Sequence, residues 1–410
     1  MADGILTERT RTLDRAPVAV RVAIVYLLAR AITTAFLLIA AQLAVPGSRF
    51  GEDATIGSFV MGWDSEWYSF IAGYGYPSEL PRGDDGLVTT NQWAFMPLYP
   101  VLAKLLGLPL GGYAAGALVV SLVAGYLAAL VLYHLLRERI DGASSMWAVV
   151  FFVSGPLAAL FQIGYAESLF LLWLFSALWC VMKRRYGWLY LLIPLMGYTR
   201  PGVLAFSLFL ALYGIWRWFR RGREPLPVRE IAHIVALGLI AAAVGFSWQL
   251  IAAAVTGDPT GYLETELSWR RSWTGESSGF VPFDGFVHAA AIWFRLWGMP
   301  EAWGYIALVL AVAVASAILL FSRHVRRLGV EVRLWSASYL IYLLAVFFPQ
   351  SSVFRLLVPL SPLWGALAGE RSTPLRTGVV RLGVLALCLA GQWWWIYNMF
   401  ALANTYYQIP

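Results

Sequence analysis

The sequence predicts an all-α polytopic membrane protein, a bundle of about 11 transmembrane helices with two long extracytoplasmic loops carrying interfacial helices. Three observations predict it. The 410 residues are 60% hydrophobic and 13% charged, with mean hydropathy +0.67, whereas a soluble domain is roughly half apolar and a quarter charged. Apolar windows of roughly 20 residues, long enough to cross a bilayer, recur along the chain. Basic residues fall in alternate connections, and the long loops between them carry excess acid. Residues 1–410 read as one integral membrane domain, without a soluble domain, low-complexity tract or clear internal repeat.

The first apolar span, 18–45, follows an arginine-bearing segment and lacks a small-residue cleavage site, so it reads as a retained helix. A first outer loop, 46–112, comes next. Within it, residues 94–110 are apolar but interrupted by Pro97, Pro100, Lys104 and Pro109, the pattern of a re-entrant or surface-lying piece. Spans are then expected at 113–136, 144–162, 166–182, 187–199, 202–219 and 231–255. A second outer loop, 257–300, separates these from spans at 301–322, 334–348, 354–368 and 379–400.

Charge sets the orientation. Arg9, Arg11, Arg15 and Arg21 precede the first span, and Arg137, Arg139, Lys183, Arg184 and Arg185 follow in alternate connections. The same side takes Arg217, Arg220, Arg221, Arg223, Arg229, Arg323, Arg326, Arg327, Arg333, Arg371, Arg376 and Arg381, giving 21 of the 30 basic residues. The positive-inside rule makes this face and the N-terminus cytoplasmic. The net charge of +7 is thus a topology signal with anionic-lipid contact, and nucleic acid is not needed to explain it. Cys180 and Cys388 each sit inside an apolar span, with no partner for a disulfide and no metal-ligand spacing.

Candidate chemistry gathers on the opposite face. From Ser58 to Gly73, Phe59, Trp63, Trp67, Phe70 and Ile71 recur at helical spacing, which predicts a helix in the interface plane with its rings in lipid. Its phase puts Asp64 on one face with Tyr68 and turns Glu66 elsewhere; the alternative is an ordinary surface carboxylate. Trp93 to Pro100, including Tyr99, is a proline-punctuated aromatic run returning to the membrane. Tyr165 and Glu167 lie in a hairpin between spans, where Glu167 is either functional or a helix N-terminal carboxylate favoured by the dipole. Arg200 and Arg355 stand on the acid-rich side, against the topological rule. They suit bidentate phosphate binding, or else snorkel to headgroups. The second loop adds Glu264, Glu266, Trp269, Arg270, Arg271, Trp273, Asp284 and His288, a mixture suited to sugar or headgroup contact. His288 serves equally as an acid–base group or an ordinary loop histidine.

These pieces occur in a recognisable order. Trp63-Asp64 with Tyr68 is followed by Gly75-Tyr76, then Phe95-Met96-Pro97-Leu98-Tyr99-Pro100. Next come Tyr165-Ala166-Glu167-Ser168-Leu169-Phe170 and Thr199-Arg200-Pro201-Gly202. Together they resemble the PIG-V-like integral membrane mannosyltransferases of the GT-C superfamily, over roughly residues 60–205. Phe95-Met96-Pro97 replaces the expected Phe-Phe-Pro.

The resemblance implies a GT-C-type bundle in a bacterial inner membrane and an inverting transfer on the extracytoplasmic face. Mannose would pass from polyprenyl-phosphate-mannose to a lipid-linked or cell-envelope glycan acceptor. It implies Asp64 as general base, with Glu167 and Arg200 at the family's other charged positions. Tyr68, Trp67, Glu66, Tyr165, Tyr99, Arg355 and His288 join these two as candidate donor or substrate contacts. No cofactor is required by this scheme, although Asp64, Glu66 and Glu167 would suit a divalent cation if they converged. The competing readings are a GT-C transferase for another polyprenyl-linked sugar, and a lipid or glycolipid flippase. Against the flippase, the middles of the spans read as nearly charge-free.

Overall fold

Apolar stretches bounded by proline, glycine and arginine dictate helices here, because a helix satisfies its own amides within lipid. The computed structural model describes residues 16–275, 279–369, 373–404 and 408–410. Arg9, Arg11, Arg15 and Arg371 lie outside the described residues, as does the side chain of Trp273. Among the described residues the regular structure is helical, apart from an isolated antiparallel bridge between Arg82 and Val88.

The chain opens with α1 (Val18–Gln42), then places α2 (Ile56–Met61), α3 (Asp64–Tyr74) and α4 (Leu98–Leu110) across the first loop. Next come α5 (Tyr113–Arg137), α6 (Gly142–Val153), α7 (Glu167–Met182), α8 (Leu189–Gly197), α9 (Val203–Arg220) and α10 (Val228–Thr256). The second loop holds α11 (Gly261–Thr274) and α12 (Asp284–Leu296). After them follow α13 (Glu301–Phe321), α14 (Arg323–Arg326), α15 (Val330–Val346), α16 (Trp364–Ala368) and α17 (Pro374–Ile396).

Every predicted span contains helix, and among the described residues seven helical stretches are long and apolar enough to cross a membrane. Helices α6, α7 and α8 are apolar but shorter. The 12 residues of α6 rise only about 18 Å, against a hydrocarbon core of about 30 Å. The expected eleven spans are therefore eleven helical segments rather than eleven demonstrated crossings. The span expected at 354–368 also changes character. Ser351–Leu363 winds as a 13-residue 3-10 helix before the short α16, with Pro359 and Pro362 inside it. Each proline removes an amide donor that an α-helix would use, and runs of this length are unusual for the tighter helix.

The main core lies between α1, α5, α6, α7, α9 and α15, where Leu132, Phe152, Phe175, Phe206, Phe209 and Trp335 are buried. Helix α13 marks the periphery: only 11% of its apolar window is covered by protein, which leaves Val309 and Leu310 for lipid. The two outer loops pack on each other. Asn91 donates to the Thr265 hydroxyl across 2.8 Å, and Arg82 reaches Asp258. Trp248 of α10 donates through Nε1 to the Trp93 carbonyl at 2.9 Å. The Trp248 ring also packs on Tyr76 and Trp93, at 5.0 and 5.3 Å between centroids, and aromatic pairs add about 0.5–1.5 kcal/mol beyond area burial.

The basic connections converge at one end. Arg139 pairs with Glu331, Lys183 with Glu138 and Arg184 with Glu224, while Arg381 donates to Ser144. Glu167 and Lys183 flank α7 at opposite ends, so its 16 residues separate the two faces by about 24 Å.

Candidate active site

The expected continuous helix from Ser58 to Gly73 is broken. Helix α2 ends at Met61, α3 begins at Asp64, and Trp63 between them takes φ 57° and ψ −124°. Positive φ is a genuine outlier for so bulky a residue. Three contacts hold it. Trp63 Nε1 donates to the Met399 carbonyl, the Arg49 guanidinium lies 4.6 Å from the ring centroid, and Phe50 packs edge-on. The Phe50 ring also fills the space a Cβ at Gly62 would need, at 2.4 Å. Strain held by surrounding contacts is a mark of functional segments, and here it starts α3 with Asp64 facing inward.

Nor do the rings of this segment all lie in lipid. Phe59, Tyr68 and Ile71 are buried in protein, while Phe70 is the half-exposed one. The cause is that α5, α7 and the C-terminal segment around Phe400 cover the helix pair.

Four charged side chains from four distant segments meet here, Asp64 among them. Arg355 Nη1 donates to Asp64 Oδ2 at 2.6 Å and lies 3.5 Å from Glu167 Oε1. Arg200 Nη1 contacts the same Glu167 oxygen. The result is an alternating chain, Asp64–Arg355–Glu167–Arg200, with two charges of each sign. Each side chain is at most 19% exposed, so neither arginine snorkels to headgroups. Glu167 begins α7, as the dipole reading expects, yet it is buried and shared between two guanidinium groups.

Close approach makes this possible. Gly164 donates its amide to the Val60 carbonyl at 2.9 Å, and a Cβ there would fall 2.1 Å from Ser65 Oγ. The 164–167 turn is thereby pressed against the start of α3. The Tyr165 ring lies under Arg355, 5.3 Å from its guanidinium carbon. Tyr68 is buried within electrostatic reach of all four charges, and desolvation followed by the nearby carboxylates holds its hydroxyl protonated. Helical phase rightly paired Asp64 with Tyr68.

The other candidates divide. Trp67 stacks on Phe95 and meets Trp269 of α11 edge-on, closing the site from the second loop. Tyr99 packs on Tyr68, but its hydroxyl is engaged by the Ala117 carbonyl and Ser121, so it is a packing residue. Glu66 turns outward to Arg49. His288 joins a different cluster, with Asp284 and Arg270 as partners. The convergence of Asp64, Glu66 and Glu167 that a shared cation would need is not present, since Glu66 points away to Arg49. Among the described residues no three acidic, histidine or cysteine side chains are placed to hold a metal.

Two features were missed. Tyr339 and Tyr342 of α15 lie within electrostatic reach of Arg200; in sequence they look like ordinary span aromatics. Arg30 sits in the middle of α1, buried, and donates to the Val153 and Ala158 carbonyls and to Gln162. It corrects the impression of charge-free span centres. Its position within an apolar run was the available signal. It satisfies the Val153 carbonyl freed where α6 stops and the Ala158 carbonyl in the following turn, and so anchors the segment leading into Tyr165 and Glu167.

The chain is thus an all-helical bundle with two outer loops folded over a buried ion-pair chain. Among solved structures, the chain is similar to ArnT from Cupriavidus metallidurans bound to undecaprenyl phosphate, with TM-score 0.51, 15% identity, and 90% of this chain matched to 64% of that one. It also matches the archaeal oligosaccharyltransferase AglB from Archaeoglobus fulgidus in complex with an inhibitory peptide and a dolichol-phosphate. That match has TM-score 0.44 and 14% identity, covering 92% of this chain and 56% of the other. The chain thus spans less than two thirds of the length of these proteins. No family model and no curated protein matches it, so the PIG-V-like resemblance rests on its motifs.

Proposed function

We propose that the protein is an inverting glycosyltransferase that moves mannose from polyprenyl-phosphate-mannose to a lipid-linked or cell-envelope glycan acceptor. The observation that carries this reading is the Asp64–Arg355–Glu167–Arg200 chain at the end of the bundle opposite the basic connections. With the basic end cytoplasmic, the site faces the outer side of a bacterial inner membrane, where a lipid-linked donor is available.

The geometry suggests an order of events. Arg355 holds Asp64 in the resting site, so its Oδ2 is already occupied by the guanidinium. An arriving donor phosphate competes for Arg355 and Arg200, with Glu167 keeping both in place. Asp64 is then free to take the proton from an acceptor hydroxyl as that oxygen attacks C1. The C1–O(phosphate) bond breaks with inversion, and the leaving polyprenyl phosphate keeps its electron pair beside the two arginines. A single displacement needs one base rather than a retaining pair, and no step is routed through a metal.

The test is transfer from labelled polyprenyl-phosphate-mannose in membranes, followed by identification of the labelled product. Asp64→Asn should lower turnover by about 10²–10⁴-fold while donor binding persists. Near-normal turnover would remove Asp64 from the mechanism. The flippase reading gains from the mid-span Arg30, but its guanidinium is already engaged by protein carbonyls. Lipid movement in vesicles without sugar transfer would favour that rival.

A further inference from the structure

Helix α11 carries a carboxyl that the mechanism above does not use. Tyr262, Glu266 and Trp269 are spaced by four and three residues, so they share one face of the helix. The helix is anchored through its neighbours Thr265 and Ser268, which are buried, with Thr265 bonded to Asn91, and through Tyr262, which packs on the Trp93–Trp248 cluster. Trp269 identifies where the C-terminal part of this face points, since its ring meets Trp67 and Phe95 at 5.8 and 6.1 Å. Trp67 is three residues from Asp64, so this face looks into the same space.

On the far side stands Tyr342 of α15, within electrostatic reach of Glu266 on one hand and Arg200 on the other. Tyr342 thus relates Glu266 to the Arg200 end of the Asp64–Arg355–Glu167–Arg200 chain. Glu266, Tyr262 and Tyr342 are all half-buried, open enough to meet a ligand. Asp64 and Glu167 are tied to arginines, whereas among the described residues Glu266 has no ion-pair partner. Desolvation raises its carboxyl to about 7, against a smaller lowering by a hydrogen bond with Tyr262. Near neutral pH it therefore both donates and accepts hydrogen bonds.

We propose that Glu266, flanked by Tyr262 and Tyr342, is a sugar-hydroxyl subsite that holds the transferred sugar beside the arginine-bound phosphate. This rests on the transferase reading above. A carboxyl without a counter-cation accepts from hydroxyls, and tyrosine rings pack against the C–H faces of a pyranose. A site built to hydrogen-bond a substrate hydroxyl rejects analogues lacking it. Glu266 would thus be a specificity-determining contact, and Asp64 the chemical one.

Binding separates the two roles. The full-length protein in nanodiscs is titrated with polyprenyl-phosphate-mannose and with bare polyprenyl phosphate, which lacks the sugar. Glu266→Gln and Glu266→Ala should weaken the sugar-bearing lipid about tenfold or more and leave the bare lipid unchanged. Equal weakening of both lipids, or of neither, overturns the subsite. The double comparison also guards against a folding defect, because bare-lipid binding reports an intact site. If Asp64→Asn is inactive while Glu266→Gln binds both lipids normally, the subsite fails and the transferase reading stands. If Asp64→Asn is fully active, the transferase reading fails first.

Discussion

The Arg217 cluster at the basic end and the Arg355 chain at the acidic end are both arginine–carboxylate arrangements, and they are built differently. At the basic end, Arg217 bonds Glu224, Glu230 and the Pro225 carbonyl, all within 13 residues of itself, and Tyr186 donates to the same Glu230. At the acidic end, Arg355 reaches Asp64 across 291 residues, with tyrosines around it and a strained Trp63 beside it. The first arrangement closes a local connection between α9 and α10. The second converges from four segments, which a local connection does not require. Buried ion pairs seldom stabilise a fold relative to apolar packing, so a long-range one at a ligand-facing position is better explained by what it binds.

Matched truncations break or sharpen that contrast. Arg355→Ala removes a cation from the buried Asp64 and Glu167, Arg217→Ala removes one from the buried Glu230, and each should cost about 3–5 kcal/mol of unfolding free energy. Only Arg355→Ala should also depress turnover per folded molecule, because Arg217 touches nothing at the reacting end. Detergent-solubilised unfolding and single-turnover transfer measure the two effects separately. A fall in turnover for folded Arg217→Ala would mean that the basic end is coupled to chemistry. Smaller is the effect of Gly164→Ala, whose Cβ must displace Ser65 Oγ and the Val60 carbonyl. We expect a loss of about 1–3 kcal/mol and up to about 100-fold in turnover from a shifted Glu167. At the basic end, Gly142→Ala meets nothing closer than the Tyr133 hydroxyl at 3.4 Å and should change stability by less than about 0.5 kcal/mol. Equal responses of the two glycines would dissolve the distinction.

What was legible in sequence follows the same division. Glu167, Arg200 and Arg355 stood out because each is charged where lipid or topology disfavours charge, and Asp64 because aromatic rings frame it and the motif order includes it. Each residue carries its signal alone, and the structure brings all four together. The break at Trp63 was illegible because it depends on Phe50, Arg49 and the Met399 carbonyl, contacts made only after folding. Helical periodicity continues smoothly through 58–73, so pattern alone joins α2 to α3. Tyr342 and Glu266 were hidden for a related reason, since their relation to Arg200 exists only once α11 and α15 are placed. The tight 3-10 winding of Ser351–Leu363 was announced by Pro359 and Pro362, but hydropathy registers an apolar run whatever its pitch.

The smallest expected effect separates Asp64 from its near neighbour. Glu66 pairs with Arg49 at 2.6 Å, but both side chains are more than a third exposed, and such pairs contribute about 0.2–1 kcal/mol. Glu66→Gln should therefore shift stability by less than about 1 kcal/mol, a shift that added salt reduces further. Turnover should be unchanged, since an outward carboxylate cannot reach a proton at the Arg355 side of α3. The exposed Lys183–Glu138 pair at the basic end should respond alike to Lys183→Ala. If Glu66→Gln instead lost activity as Asp64→Asn does, the base would lie on the water side of α3 and the buried chain would be structural. Steady-state transfer by the two single variants, with unfolding measured at low and high salt, decides between these arrangements.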